Sequence, residues 1–379
     1  MFKYQQTHQY FAQVAGGMEE IGSEELEELN AYHIKPIYRG IYFEADKAAL
    51  YRINYCSRVL SRVLAPLKIF KCHDTDYLYR MAKSIEWDTL FKSTQTFVVF
   101  SQVSNSKIKH SRYAALRLKD AIVDYFREEH GQRPNVNRIK PDAWINLHIE
   151  NDLSTISFDT SGGALHRRGY RQKTVEAPMQ ETLAAAIIRL SGWNGSTLLI
   201  DPMCGSGTLL CEAILAYCQI PSGYKRERFG FEMLPDFDRN IWDEIKNNYK
   251  KEQRILPVGL VSGCDISKKA VAASKVNLFN IPDGEKVKVK INDFQNLSEL
   301  NNATIICNPP YGIRMGEKRS LKKFYKSLGD FLKQRCKGST AYIYFGDREF
   351  IPHIGLKPSW RKPLVNGALD GRLAKFELY

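Results

Sequence analysis

A short corner, NPPYGIR at 308–314, holds the side chains best suited to chemistry. It follows TIIC (304–307), whose β-branched residues predict a buried strand, and its two prolines make the chain leave that strand rigidly. The Asn308 side-chain oxygen and the Pro309 carbonyl could accept hydrogen bonds from an aromatic amine and so localise its lone pair. Tyr311 could stack on the aromatic ring. The alternative is a proline turn that only closes a strand.

A second motif, DPMCGSGT at 201–208, lies where the predicted strand TLLI (197–200) gives way to a helix. Glycines there let the backbone approach a ligand, and free helix N–H groups attract its negative end. The pattern lacks a third glycine, and Asp201 would oppose a pyrophosphate, so a cofactor with a cationic amine fits better. A tight structural turn is the alternative. The candidate cofactor-binding residues are Asp201, Cys204, Gly205, Ser206, Gly207 and Thr208.

Two aspartates end the next two predicted strands, Asp265 in LVSGCDI (260–266) and Asp293 in VKVKIND (287–293). The carboxyl ends of parallel strands meet at one rim of a sheet, which is where ligands bind. Asp265 could accept both hydroxyls of a ribose, and Asp293 could accept from an adenine amino group. Taken singly, Asp265 could instead cap the helix that follows it. The order of these aspartates relative to the two motifs favours a cofactor site.

The order of predicted elements changes character near residue 175. Before it, strands mix with helices, and the hairpin AWINLHIENDLSTISFDT (143–160) predicts an α+β unit on an antiparallel sheet. A helix is predicted within HSRYAALRLKDAIVDYFREEHG (110–131), with Ser111 as its cap. After residue 175, strands and helices alternate as in a doubly wound parallel sheet, with an inserted helix within 235–254.

The bulk composition is that of a globular protein with two or three domains, at 379 residues, 44% hydrophobic and 26% charged. The net charge of +13 suits a polyanionic partner. Neither a signal peptide nor a membrane span is evident, so a cytoplasmic protein without a membrane partner is expected. The eight cysteines show no zinc-ligand spacing, so we expect reduced thiols and no metal.

DPMCGSGT, the two aspartate strand ends and NPPYGIR, in this order, resemble the motifs of class I S-adenosylmethionine-dependent amino-group methyltransferases. The resemblance covers about residues 175–379 and implies a Rossmann-like seven-stranded sheet with its last strand antiparallel. It implies S-adenosylmethionine as cofactor, with Asp265 at the ribose and Asp293 at the adenine. It also implies Ile266, Phe294 and Asn308 as cofactor-binding residues. The implied catalytic residues at the target amine are Asn308, Pro309 and Tyr311.

NPPY is shared by enzymes that act on DNA adenine, protein glutamine and RNA guanine. Features elsewhere in the chain must therefore distinguish among these substrates. Two segments are rich in lysine and arginine and contain neither aspartate nor glutamate: LHRRGYRQK (165–173) and SNSKIKHSRYAALRLK (104–119). Such a segment is often only a solvated face, but a tyrosine between arginines suits phosphate positioning with base stacking. The predicted RNA-binding residues are Lys107, Lys109, Arg112, Arg167, Arg168, Tyr170 and Arg171.

The amino-terminal half resembles a ferredoxin-like domain followed by a THUMP domain. Three segments, LHRRGYR, APMQETLAAAIIRLSGW (177–193) and PLVNGALDGRL (363–373), are similar to segments of THUMP-containing RNA methyltransferases. Nearly the whole chain resembles the amino-terminal half of the bifunctional bacterial large-subunit rRNA guanine methyltransferases. The implied domains are a ferredoxin-like domain at 1–62, a THUMP RNA-binding domain at 63–164, a basic linker at 165–176 and a methyltransferase domain at 177–379.

The reaction implied by this resemblance is methyl transfer to the N2 of a guanosine in 23S rRNA. The RNA partner would be the naked rRNA or the assembling large ribosomal subunit. Two alternatives remain open, a DNA adenine-N6 methyltransferase and a non-catalytic rRNA-binding assembly factor that retains the cofactor pocket. A THUMP-like amino-terminal half weighs against the first, and an intact NPPY weighs against the second.

Overall fold

The computed structural model describes residues 1–175, 178–311, 318–367 and 369–379, without the side chains of 318 and 319. The GIR part of NPPYGIR therefore lies outside the described residues. The chain divides into two compact units. The first unit comprises Met1–Val14, Gly22–Leu165 and Arg226–Lys246, and the second comprises Ala15–Ile21, His166–Lys225 and Asn247–Tyr379.

The secondary structure changes character as the sequence predicts. The strands are β1 Gln9–Gln13, β2 Tyr32–Ile37, β3 Gly40–Glu44, β4 Arg62–Lys71, β5 Thr96–Ser104, β6 Asn135–Val136, β7 Ala143–Glu150, β8 Leu153–Asp159, β9 Leu199–Asp201, β10 Val261–Asp265, β11 Lys288–Ile291, β12 Thr304–Cys307, β13 Thr340–Phe345, β14 Trp360–Pro363 and β15 Arg372–Glu377. The α-helices are α1 Lys3–Thr7, α2 Glu19–Glu28, α3 Lys47–Cys56, α4 Thr75–Lys83, α5 Ser111–His130, α6 Glu181–Ser191, α7 Thr208–Tyr217, α8 Arg239–Glu252, α9 Lys268–Phe279 and α10 Lys318–Arg335.

The first unit is built on an eight-stranded, mostly antiparallel sheet in the order β2-β3-β1-β4-β8-β7-β5-β6. The predicted hairpin is present as β7 and β8, which pair antiparallel. The predicted helix is α5, and it ends where Gly131 adopts a φ of 66°. Ser111 was wrongly predicted to cap it, because Ser111 is the first helical residue and His110 takes the cap position.

The segment Arg226–Lys246 packs with the first unit, although the sequence predicts it within the methyltransferase domain. Aromatic contacts account for this. The ring of Phe231 stacks on Tyr51 with centroids 4.4 Å apart, and Trp242 meets Phe231 edge-on at 5.1 Å. Burying three large rings together provides several kcal/mol of apolar stabilisation, roughly 25 cal/mol per Å². The first part of the inserted helix α8, up to Lys246, therefore belongs to the first unit, and the remainder, from Asn247, belongs to the second.

The second unit holds a seven-stranded sheet in the order β11-β10-β9-β12-β13-β15-β14. Neighbouring strands from β11 to β13 are parallel, whereas β15 is antiparallel to both of its neighbours. The last strand was predicted to be antiparallel, and this is confirmed. The edge strand β14 was not predicted, because its four residues include a proline and carry no alternating pattern.

No helix among the described residues has the length and apolar character needed to cross a membrane. In the same part of the chain, no group of three or more His, Cys, Asp or Glu side chains is placed to hold a metal ion. All eight cysteines are free thiols, and only Cys56 is not buried.

Candidate active site

The carboxyl ends of the parallel strands β9, β10, β11 and β12 surround a cavity of about 990 Å³ in the second unit. The structure brings twelve of the thirteen predicted cofactor-binding and catalytic residues to its wall. These are Asp201, Cys204, Gly205, Ser206, Thr208, Asp265, Ile266, Asp293, Phe294, Asn308, Pro309 and Tyr311. Strand order explains the convergence, since these residues follow adjacent parallel strands.

Gly207 is the predicted residue that does not line the cavity. Its φ is 81°, and a Cβ there would lie 2.4 Å from the Oγ of Ser274 on α9. Its bare backbone therefore lets the loop lie close to α9 rather than close to a ligand. Gly205, with a φ of 53°, faces the cavity, and its N–H donates to Oδ2 of Asp265 at 2.9 Å. The cradle thus depends on glycine at both positions.

Asp265 and Asp293 both accept backbone hydrogen bonds at the rim. Asp265 accepts from Gly205 and, through Oδ1, from the N–H of Ser267 at 2.9 Å. Asp293 accepts from the N–H of Gln295 at 3.0 Å. Each carboxylate oxygen has a further lone pair, so both aspartates can still accept from a ligand. The backbone bonds fix the direction in which those lone pairs point.

Asp201 is the most buried carboxyl group of the cavity wall, with 1% of its surface exposed. Its pKa is raised to about 8, chiefly by burial. The nearby charge of Asp265 acts in the same direction, and a hydrogen bond from the N–H of Met203 acts against both. Such a group would be stabilised in its ionised form by a cationic ligand. A cavity that lacks a cation instead favours the protonated acid.

Asn277 is a supporting residue that the sequence analysis missed. Its side chain on α9 is buried and satisfies all four of its hydrogen-bonding positions. It accepts from the N–H groups of Gln172 and Lys173 at 2.8 and 3.0 Å, and it donates to the carbonyls of Lys173 and Ser206 at 2.8 and 2.9 Å. It therefore ties the segment leading to Val175, one wall of the cavity, to the glycine loop.

For three of the predicted RNA-binding residues, the structure shows partners within the protein instead. Arg168 and Tyr170 are each only 1% exposed, and Tyr170 donates to the buried Glu212 of α7 at 2.9 Å. Arg171 is mostly buried and pairs with Glu181 at 2.8 Å. A glutamate inside an apolar helix must be compensated, and these basic and phenolic groups supply partners for it and for Glu181. They hold the segment to the domain, and Arg168 and Tyr170 are too buried to contact RNA.

The remaining predicted RNA-binding residues lie on the surface. Arg167, Lys107, Lys109 and Arg112 are all exposed. The last three lie at the end of β5 and the start of α5 in the first unit. Their role stays a prediction.

The NPPY corner ends β12 as predicted, and the oxygen of its asparagine is unpaired. Oδ1 of Asn308 is buried and has no hydrogen-bond partner among the described residues. A buried acceptor without a donor costs about 1–3 kcal/mol, so this oxygen is set up to receive a donor from a ligand. The Pro310 carbonyl accepts from Tyr325 at 3.3 Å, and the Tyr325 ring stacks on Phe350 with centroids 5.0 Å apart.

Gly346, directly after β13, supports the ring of Tyr311. A Cβ at Gly346 would lie 2.4 to 2.6 Å from Cγ, Cδ1 and Cδ2 of that ring. Real side chains do not approach so closely, so the tyrosine keeps this position only because residue 346 is glycine. No sequence motif predicts this contact, which joins residues that follow two different strands and lie 35 positions apart.

Gly346→Ala is therefore expected to displace Tyr311 and to lower kcat/KM roughly 5- to 150-fold, the size of one lost base-stacking contact. Its effect should vanish in a Tyr311→Ala background, because the ring that the new methyl group would displace is already gone. Steady-state methylation rates of both single variants and the double variant measure this. Equal losses from Gly346→Ala in both backgrounds would show that the glycine acts independently of Tyr311.

Comparison with known protein families agrees with this arrangement. Residues 168–375 match the RMKL-like methyltransferase domain, residues 72–159 match the THUMP domain, and residues 9–64 match the RlmL ferredoxin-like domain. The predicted family resemblance and fold class are confirmed by these matches.

Individual relatives extend over nearly the whole chain. A protein of Synechocystis named as an RNA methyltransferase is 39% identical over 98% of this chain and 97% of its own length. The ribosomal RNA large subunit methyltransferase K/L of Syntrophotalea carbinolica is 36% identical over 97% of this chain, but the match covers 53% of that protein. The chain thus spans about half the length of the K/L relatives.

One solved structure resembles nearly the whole chain. SMU.472, described as a methyltransferase and crystallised with SAH, is 25% identical and superimposes over 98% of both chains with a TM-score of 0.86. The family matches, the fold and the residues that line the cavity all indicate the same family. This chain belongs to the RMKL-like methyltransferase family.

Proposed function

We propose that this chain transfers a methyl group from S-adenosylmethionine to the exocyclic N2 of a guanosine in 23S rRNA. The observation that carries the proposal is the unpaired Oδ1 of Asn308 on a cavity that also holds the glycine loop. An acceptor with no donor among the described residues, beside a cofactor cradle, fits an amine substrate. The guanine N2 would bond to the methyl group as the S–C bond of the cofactor breaks, and the proton that N2 then loses would pass to water.

The cofactor is S-adenosylmethionine, as the sequence predicts, and a structural relative was crystallised with SAH. The residues present fit such a group. The cavity is large enough for a nucleoside with an amino-acid arm. Asp201 would face the cationic end, Asp265 the ribose and Asp293 the adenine. Bound there, the cofactor supplies an activated methyl group.

The chain's own residues would orient and polarise the target. Asn308 and the Pro309 carbonyl would accept the hydrogens of the guanine amine, and Tyr311 would stack on the base. Because N2 is paired inside a duplex, the guanosine must be unpaired or flipped when it reaches the cavity. Catalysis would then come from orientation and from localising the lone pair.

RNA is favoured over DNA by the first unit. The THUMP match covers 72–159, and relatives over most of the chain are named as RNA or ribosomal RNA methyltransferases. The exposed cations Lys107, Lys109 and Arg112 lie within that match and could contact phosphates. Arg167 could add a further phosphate contact.

The purified chain should transfer labelled methyl groups to deproteinised large-subunit rRNA, and mass spectrometry of its nucleosides should show N2-methylguanosine. Duplex DNA is the matched acceptor for the rival function. N6-methyladenine in DNA, with no product in RNA, would replace the proposal by a DNA adenine methyltransferase. Tight rRNA binding without any product, on both naked rRNA and assembling subunits, would favour an assembly factor.

A further inference from the structure

The hairpin of β2 and β3, residues 32–42, exposes an unusual number of large apolar side chains. Four of the eighteen large hydrophobic side chains that are exposed among the described residues lie within these 11 positions, where an even spread would place fewer than one. They are Tyr32, Ile37, Tyr38 and Tyr42. Clustering of exposed apolar surface marks an interaction site.

Aromatic and basic side chains share the solvent-facing side of this sheet. Tyr42 on β3 lies opposite Lys35 on β2 and opposite Phe11 on β1. The rings of Phe11 and Tyr42 are 4.9 Å apart. The alternate residues of β3, Ile41 and Phe43, are buried on the other side. Two rings and a cation therefore lie in one row across three strands on the open face.

The rings of Phe11 and Tyr42 are held in place by packing before any partner binds. A Cβ at Gly40 would lie 2.1 Å from the Phe11 ring, so that ring rests on bare backbone. Tyr38 occupies the two-residue turn between the strands, beside Arg39 with a φ of 58°, and is 84% exposed. A preformed aromatic surface loses little conformational entropy on binding.

The charge of the hairpin indicates what it binds. No acidic residue occurs between Glu28 and Glu44, whereas His33, Lys35 and Arg39 lie within that interval. Lys35 forms no ion pair with any described residue. Glu44 at the end of β3 pairs with His33 at 2.9 Å, which leaves Lys35 as the cation opposite Tyr42. An exposed ring beside such a cation, in a chain with a net charge of +13, matches a polyanion whose bases can stack.

The edge of the sheet argues against a protein strand as the partner. β2 is the edge strand, so its free backbone groups could in principle pair with an added strand. Pro36 has no N–H to offer, and Lys35 places a charge at the same edge. A proline and a lysine on an edge strand both disfavour pairing with an added strand. The side-chain face, rather than the edge, is therefore the binding surface.

We propose that the face of residues 32–42, with Phe11, binds unpaired RNA bases by stacking on Tyr38 and Tyr42. The inference rests on the proposed function, since it takes RNA as the substrate. It adds a site that prefers single-stranded over duplex RNA. Such a site would hold unpaired RNA on the first unit. This suits a methyltransferase whose target guanosine must be unpaired.

Fluorescence anisotropy of the full chain can test this with a labelled single-stranded RNA of about 12 nucleotides, alone and annealed to its complement. The wild type should bind the single strand more tightly. Tyr38→Ala with Tyr42→Ala should weaken that binding roughly 5- to 150-fold per stacked ring. Duplex binding should change little. The double phenylalanine variant keeps both rings and should bind like the wild type.

Phe279→Ala removes a ring on α9 that is about as exposed as Tyr38 and serves as the matched control. Unchanged single-strand affinity in the double alanine variant, with unaltered unfolding temperature and cofactor affinity, would overturn the inference and leave a protein as the partner of this face. An equal loss on single strand and duplex would also overturn it, because stacking requires free bases. If the wild type binds neither RNA, the inference is overturned as well, whereas the proposed function is tested separately by methyl transfer to rRNA.

Discussion

Replacing Asn308 with alanine is expected to lower the rate of methyl transfer about 100- to 1000-fold, the usual cost of removing one preorganised polar group that acts on the reacting atoms. The Asn308 Oδ1 atom is buried without a donor among the described residues, so the target amine would be its partner. Without it the amine lone pair stays delocalised. Cofactor affinity should change less than about threefold, because this interaction forms with the substrate.

Single-turnover rates and calorimetric cofactor affinities of the same protein preparation measure both parts of this expectation. Asn308→Asp is the matched control, because it keeps an acceptor oxygen in the same place and should retain more activity than alanine. Turnover of the alanine variant within about tenfold of the wild type would remove Asn308 from the mechanism. A loss of cofactor affinity as large as the loss of rate would make it a cofactor ligand instead.

The candidate site could be predicted well from sequence because it is assembled from local motifs. NPPY and DPMCGSGT each combine a strand end with a turn, and the parallel order of the strands brings their carboxyl ends together. Asp265 and Asp293 follow from the same rule. Because neighbouring parallel strands end at the same edge of the sheet, these residues can be placed together without knowledge of distant contacts.

Contacts between distant parts of the chain could not be predicted in this way. Arg168 and Tyr170 look exposed in a basic stretch, but Glu212, about forty positions later, provides a buried carboxylate for them. The placement of Asn277 and Gly346 likewise depends on packing between separate elements. A run of basic residues alone does not distinguish a phosphate-binding surface from a buried ion pair.

Asp201→Asn is expected to stabilise the ligand-free protein by an amount that grows with pH. The folded pKa of Asp201 is raised to about 8, from 3.8, chiefly by burial. Between these two values the folded state binds a proton that the unfolded state has released. Stability of the wild type through this group therefore falls as pH rises from about 4 to 8, by about 1.4 kcal/mol per pH unit. Asparagine is neutral throughout and lacks this dependence.

Urea unfolding of both proteins at pH 5 and pH 8 measures the difference, which should grow by about 4 kcal/mol between these two pH values. Binding of the cofactor would compensate for the free energy that burying the Asp201 carboxylate costs. A cationic cofactor end would stabilise the ionised carboxylate, so cofactor should stabilise the wild type more than the variant at pH 8. Equal free energies of unfolding for the two proteins at both pH values would mean that Asp201 is ionised without penalty. In that case its charge would have to be compensated within the protein rather than by the cofactor.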